Sequence, residues 1–410
     1  MELRPILSTL RRHKVTACLL ILEIALTCAI VCNAVFLIGQ RLQRMDLPSG
    51  VAEHELVQVQ LAYIGNRPDA EARAETDLAA LRQIPGVTQA ALTDQLPFAS
   101  GGSSNSDLKL DPQQQQATVN ATQYSGQNLL PTLGLRLIAG RDIQPGEYID
   151  YDTAIAALKA GNLKGLPQTM VITHALAERL WPGQDALGKT IYVGQGIRFR
   201  VIGVVAHLAR PNNLQQGVEY STIWPLRMTM AQGASYVLRC APQDRARVLK
   251  AAVATLKQLD PNRVVLEHRT YDEARHDFFA NDRAMAGMLV GVIVALLIVT
   301  ALGIVGLASF WVAQRRRMIG VRRALGATRG DILRYFQTEN FVLATLGIAL
   351  GMVLAYGINL FLMLHYELPR LPAIYFPVGA IVLWLIGQLA VLGPALRAAA
   401  VPPVVATRSV

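Results

Sequence analysis

Four long apolar stretches constrain this chain more than any other feature. Residues 15–38 and 341–364 each run 24 residues, 284–313 runs longer, and 376–396 just reaches spanning length. At ~1.5 Å per residue, 24 residues of helix extend about 36 Å. A bilayer core of roughly 30 Å needs about 20 apolar residues, so all four qualify as spans. They explain a composition that is 52% hydrophobic and only 17% charged. The first is expected to stay in the chain, being too long for a signal-peptide core and lacking a small-residue cleavage site after it.

Orientation follows from the cations. Arg4, Arg11, Arg12 and Lys14 precede the first span, and Arg397 and Arg408 follow the last. Between the second and third lie Arg315, Arg316, Arg317, Arg322, Arg323, Arg329 and Arg334 against Asp331. Lys and Arg flanking spans stay in the cytoplasm. Both termini, including a tail over 397–410, are therefore expected inside, with residues 41–283 and the turn 365–372 outside. Segment 41–283 carries 25 Lys/Arg and 24 Asp/Glu, so nearly all of the net +10 belongs to the inner membrane face. The basicity is a topology signal and argues against nucleic-acid binding.

Cys18, Cys28 and Cys32 sit in the first span, and Cys240 stands alone outside. A single cysteine makes no internal disulfide, so the outer domain must cohere through its core. Residues 1–14 read as an interfacial helix, with Leu3, Ile6, Leu7 and Leu10 at helical spacing. Beyond the first span the pattern is α+β. A strand at 55–61, a helix at 69–84 and a strand at 87–93 recur as strand 235–240, helix 243–259 and strand 263–268. These predict two related β-α-β units, at about 55–93 and 235–268, with a strand-rich lobe inserted at about 100–230. That lobe opens on a stretch expected to be mobile, 100–106, and carries a Gln-rich tip at 113–116. The fold class is thus an α-helical membrane protein of four spans, with a two-lobed extracytoplasmic α+β domain between the first and second. Thr270-Tyr271-Asp272-Glu273 has capping-box spacing. No proline follows from 271 to 312, which predicts one continuous helix forming a stalk, the alternative being a break near Asn281-Asp282.

Gly183-Gln184-Asp185-Ala186-Leu187-Gly188-Lys189-Thr190 matches the P-loop pattern at every position. A P-loop needs a strand before the glycines and a helix after them, so that backbone N–H groups cradle phosphate. Here a helical segment precedes and a strand-like one follows, which makes the match a coincidence. The histidines show no metal-ligand spacing. The acidic group Glu147, Asp150 and Asp152 has no histidine beside it and reads as a solvated loop. No catalytic, cofactor or metal residues are expected.

Within the first span, Glu23 is a candidate intramembrane polar site, because an ionisable group at that depth is costly and usually faces protein or water. It could also be protonated or snorkel to the surface. Gly287-x-x-x-Gly291 and Gly347-x-x-x-Gly351, extended by Ala355, permit close helix approach. The cytoplasmic segment 314–336, QRRRMIGVRRALGATRGDILRYF, carries apolar Ile319, Val321, Leu325, Ile332, Leu333 and Phe336. Gly320 and Gly326 punctuate it, and Thr328 has cap spacing to Asp331. A basic loop held by anionic lipid would use the arginines alone; a docking element uses the apolar positions and glycines as well.

Within that segment, Ile319-Gly320-Val321-Arg322-Arg323-Ala324-Leu325-Gly326-Ala327 resembles the loop marking FtsX-like permease domains. Residues 129–142 (LLPTLGLRLIAGRD), 172–189 (ITHALAERLWPGQDALGK) and 201–207 (VIGVVAH) are similar to segments of the MacB-type periplasmic core domain, and 394–408 to the family's C-terminal end. Gln314 and Met318 stand where that family usually has acidic residues. The resemblance implies a type VII ABC transporter permease of the bacterial inner membrane. Its nine-residue loop would couple to a cytoplasmic ABC ATPase on a separate chain, which alone binds ATP. It also implies a second permease chain, identical or not, and engagement of a membrane-fusion adaptor and outer-membrane channel. Peptides, lipopeptides, macrolides or lipoproteins are the cargo classes it suggests. An FtsX-like transducer regulating a periplasmic hydrolase, or a membrane-anchored receptor or enzyme without an ATPase, are the alternatives.

Overall fold

The computed structural model describes residues 14–62, 69–99, 103–194, 196–212, 217–229, 234–366 and 370–400. The interfacial helix expected before Lys14, positions 100–102 of the expected mobile stretch, and the tail from 401 lie outside the described residues. Two compact units divide the chain: Asp46–Ala280, and Met1–Met45 with Asn281–Val410.

The membrane unit begins with helix α1 (Lys14–Met45). The outer unit follows with β1 (Leu56–Ala62), α2 (Ala70–Arg82) and β2 (Val87–Thr93). Its inserted lobe comprises β3 (Asn105–Lys109), β4 (Val119–Ser125), α3 (Leu129–Leu133), β5 (Leu137–Gly140), β6 (Ile149–Asp150) and α4 (Tyr151–Lys159). It continues with β7 (Thr169–Thr173), α5 (His174–Leu180), β8 (Thr190–Val193), β9 (Ile197–Val205), β10 (Ser221–Trp224) and β11 (Leu226–Arg227). The chain then returns through β12 (Ser235–Cys240), α6 (Arg245–Leu259), β13 (Val264–Thr270) and α7 (Tyr271–Phe278).

The two β-α-β units interleave. Their strands form one antiparallel sheet in the order β13-β1-β12-β2, so each unit's pair of strands is split by a strand of the other. Helix α2 buries Ala74, Asp77, Leu78 and Leu81, and α6 buries Val248, Ala252 and Leu256. These spacings of three and four residues put each set on one helix face. Against them lie Val57, Val59, Tyr236 and Leu238. Burying each large aliphatic side chain contributes roughly 1.5–3 kcal/mol. Asp77 is also buried, and it accepts from Tyr236 Oη at 2.6 Å and pairs with Arg263 at 2.8 Å.

In the inserted lobe seven strands run in the order β5-β9-β7-β10-β4-β3-β8, and β8 pairs back onto β9, which closes the sheet on itself. The nine residues of β9 allow this: its first half pairs with β8 and its second with β7 and β5. Asn105 and Ser106, expected in a mobile stretch, belong to β3 and are held by the β4 ladder.

The expected continuous helix from 271 to 312 is interrupted. Thr270 and Glu273 form the capping box that starts α7, but Phe279 leaves helical geometry at φ −91°, ψ 11°. Its buried ring packs against Phe98 at 5.4 Å and Phe278 at 4.9 Å, and the local backbone accommodates that packing. A new helix, α8 (Ala280–Gln314), then begins. It is followed by α9 (Arg316–Ala324), α10 (Arg329–Tyr366) and α11 (Tyr375–Ala399). Among the described residues, helices α1, α8, α10 and α11 are the four long and apolar enough to cross a membrane.

Candidate coupling site

Helix α9 lies between two spans because three local devices turn the chain. Arg315 interrupts the helix after Gln314, with φ −103° and ψ 10°. At the far end Gly326 adopts φ +100°, the left-handed region that a side chain disfavours. Its N–H bonds the Arg323 carbonyl at 3.2 Å and the Ala327 N–H bonds that of Arg322 at 3.0 Å. That is the paired C-terminal closure of a Schellman motif. Thr328 Oγ1 then accepts from the Asp331 N–H at 3.2 Å while Asp331 Oδ2 accepts from the Thr328 N–H at 3.0 Å, capping α10.

The nine residues singled out by sequence do not share one face. Ile319 is 3% exposed and sits in the helical bundle's core, with Gly320 buried beside it. Arg323 reaches inward and donates to the Ala399 carbonyl at 3.1 Å, while the Arg322 guanidinium lies over the Tyr335 ring at 5.0 Å. Ala327 is half-buried against the same core. Val321, Ala324, Leu325 and Gly326 face outward. Ile332 and Phe336, read as part of the same apolar side, are buried within the bundle. The single apolar side expected for 314–336 is therefore divided: Ile319, Ile332 and Phe336 lie in the bundle, and the outward apolar positions are Met318, Val321 and Leu325, spaced i, i+3, i+7, with Leu325 83% exposed.

Arg315 and Glu339 are the residues that sequence reading missed. Arg315 Nη1 donates to both Glu339 carboxylate oxygens, at 3.0 and 2.8 Å, with side chains 6% and 1% exposed. The Trp311 ring lies 5.5 Å below the guanidinium. Removing either charge would strand the other, a loss of roughly 3–5 kcal/mol for a buried pair. The available signal was a glutamate just ahead of the third apolar run, with an arginine closing the second.

Glu23 is half-buried on α1, and its carboxylate oxygens stand 2.6 Å from where a Cβ on Gly303 of α8 would be. The glycine makes room for the carboxylate. Glu23 has no hydrogen bond or ion pair among the described residues. The P-loop lookalike runs from α5 through a turn into β8, and Lys189 Nζ donates to Gln184 Oε1 at 2.6 Å beside the Trp181 ring. Of the acidic group, Asp152 lies in the first turn of α4 and the other two are ion-paired. Glu147 takes both Arg141 nitrogens at 2.7 and 2.8 Å, which holds its carboxyl below the usual range, and Asp150 pairs with Arg227 at 3.0 Å.

Four apolar helices, a basic helix bound between two of them, and a two-lobed α+β unit define a membrane permease class. Residues 20–256 match the MacB-like periplasmic core domain and 290–403 the FtsX-like permease C-terminal domain. The first alone covers more than half of the chain, which therefore belongs to the MacB/FtsX family of permeases. The macrolide export ATP-binding/permease protein MacB of Chromobacterium violaceum is 30% identical over 197 residues, 47% of this chain and 30% of that protein. The ABC transporter permease YvrN of Bacillus subtilis is 26% identical over 265 residues, 61% of this chain and 64% of that one. The chain thus spans about a third of the MacB protein and just under two thirds of YvrN. The periplasmic region of MacB from Actinobacillus actinomycetemcomitans superposes at TM-score 0.33 with 14% identity, over 57% of this chain and 97% of that one.

Proposed function

We propose that this chain is the permease subunit of a type VII ABC transporter in a bacterial inner membrane. Its termini are cytoplasmic and its large domain periplasmic. A separate ABC ATPase docks on Met318, Val321 and Leu325, and closure of the ATPases pulls on α9. One observation carries the reading: an apolar stripe stands exposed on a short helix whose other side is tied to the bundle. Leu325, Val321 and Met318 are exposed at the polar end of the spans, among Arg316, Arg317 and Arg329. Exposed apolar surface rimmed by charge is the pattern of a protein contact. The ties through Arg315 and Arg323 would pass a displacement of α9 to the spans instead of dissipating it.

In this scheme nucleotide stays on the ATPase, a second permease chain completes the assembly, and lipopeptides, peptides, macrolides or lipoproteins are the cargo class. An adaptor and outer-membrane channel would receive them. Nucleotide binding by the purified chain that disappears in Lys189→Ala would overturn the assignment of ATP to a separate subunit.

The central test is capture of the ATPase in detergent. Leu325→Asp is expected to weaken association about 100-fold or more, since an unpaired carboxylate would be buried at the contact. Arg316→Gln with Arg317→Gln should retain the partner, because those exposed side chains suit lipid headgroups. The reverse result would make α9 a charge clamp and sink the proposal.

A further inference from the structure

Arg210, in the segment after β9, is 4% exposed and carries a charge that no carboxylate balances among the described residues. Its Nε donates to Thr122 Oγ1 at 2.9 Å, and its Nη2 to Asn105 Oδ1 at 3.1 Å and Asn120 Oδ1 at 2.5 Å. All three acceptors are neutral, and Nη1 takes part in none of these bonds. Burial pulls the guanidinium below its ordinary pKa. The nearest acidic residue in sequence, Glu219, is engaged by His207 at 2.8 Å.

Arg210 lines a cavity of about 480 Å³ together with Val119, Asn120, Arg179 and Tyr220. Arg179, on α5, is exposed and forms no ion pair among the described residues. The Tyr220 hydroxyl likewise has no partner among them. Asn120 is fixed from the other side, donating through Nδ2 to Asp107 Oδ1 at 2.8 Å. Two arginines and a tyrosine whose hydroxyl has no partner among the described residues thus line one cavity, with no acid among its described lining residues. A buried cation without a counter-ion is costly, and arginine's planar fork suits phosphate oxygens.

We propose that this cavity is a binding site for a phosphate group, held between the buried Arg210 and the exposed Arg179. The two positive charges match a phosphate dianion better than a single carboxylate. Asn120 positions Arg210, and Tyr220 can donate to a third oxygen. The site lies wholly in the inserted lobe and is independent of the ATPase contact.

The test uses the full-length chain in nanodiscs of neutral lipid, titrated with inorganic phosphate at constant ionic strength. Saturable binding is expected from calorimetry, together with a rise in the outer unit's melting temperature. Arg179→Gln should weaken binding at least tenfold while leaving the phosphate-free melting temperature unchanged. Arg210→Gln should abolish it; if that variant misfolds, Arg179→Gln carries the test alone. A parallel titration with soluble short-chain phosphatidylglycerol separates the sources. Binding of the free ion marks a small-solute site, and binding of the lipid alone marks a headgroup site. No saturable binding of either probe, or unaltered affinity in Arg179→Gln, would show that Arg210 only ties β3 to β4.

Discussion

In α10, Gly347 and Gly351 sit so close to α1 that an added Cβ would stand 2.8 Å from Ile24 and 2.5 Å from the Cys28 Cβ. In α8, Gly287 and Gly291 have the same spacing and nothing within 4 Å. Around that second pair Met288 is 70% exposed and Ile298 55%. At the start of α8 Asp282 pairs with Arg41 of α1, and its other contacts lie toward the far end: Thr300 to Thr27, Gly303 to Glu23, and the tie from Arg315, just beyond the helix, to Glu339. Small residues at this spacing permit close approach and do not cause it. What fills α10's groove is a neighbour of matching shape, with Asn33 Nδ2 donating to the Ala355 carbonyl at 3.2 Å to lock the register. Along α8 the glycines leave a surface that faces nothing among the described residues.

The largest effect should come from the polar tie that joins the end of α8 to α10. Arg315→Met leaves Glu339 buried and unpaired, and is expected to destabilise the bundle by roughly 3–5 kcal/mol. Reversible unfolding in mixed micelles would measure it. The double variant Arg315→Met with Glu339→Leu should recover most of the loss, because replacing both charges removes the stranded one. A double variant no better than the single would mean that the pair matters for shape and not for charge balance.

A smaller effect should separate the two glycine pairs. Gly351→Leu must push α10 away from α1 and is expected to cost roughly 1–3 kcal/mol, the usual range for overpacking. Gly291→Leu should change the single chain's unfolding by less than about 0.5 kcal/mol. Equal losses from both would erase the distinction drawn above.

How much of this was legible beforehand differs from element to element. The spans were readable because length and apolarity alone decide them. The β-α-β units were readable from their periodicity and the breakers Pro85-Gly86 and Pro261-Asn262. Residues 55–61 alternate polar and apolar, yet Gln58 is 6% exposed and its amide donates to Ser235 Oγ at 3.0 Å. Burial on the second face is imposed by the rest of the unit, so the strand's own pattern does not record it. For the candidate coupling site, Gly326 and Thr328 announced where α9 ends and α10 begins, but Gly320, expected to interrupt a helix, lies buried inside α9, and the break at Arg315 carried no such mark. This punctuation could not say that Ile319 and Leu325 point opposite ways, since both are apolar and each suits a core or a contact. The Arg315–Glu339 and Arg210 environments are long-range, and no local spacing encodes them. Phe279 interrupts the expected stalk helix because of Phe98, 181 positions earlier in the chain.

The smallest effect tests how firmly α8 is held to α1 near its middle. There Thr300 and Thr27 share one hydrogen bond of 2.8 Å, both hydroxyls buried. A hydrogen bond between spans averages only about 0.6 kcal/mol in double-mutant cycles, because the separated helices find other partners in the bilayer. Thr300→Val keeps the shape and removes the hydroxyl, so its loss should be about that size when measured against Thr27→Val and the double variant. Thr300 can return its bond to a carbonyl of its own helix, which keeps the cost low. A coupling near 2 kcal/mol would instead make this contact a strong anchor of its own. In that case α8 would be gripped near its middle as well as at its two ends, where Asp282 meets Arg41 and Arg315 meets Glu339, and the contrast with α10 would shrink to the segment around Gly287 and Gly291.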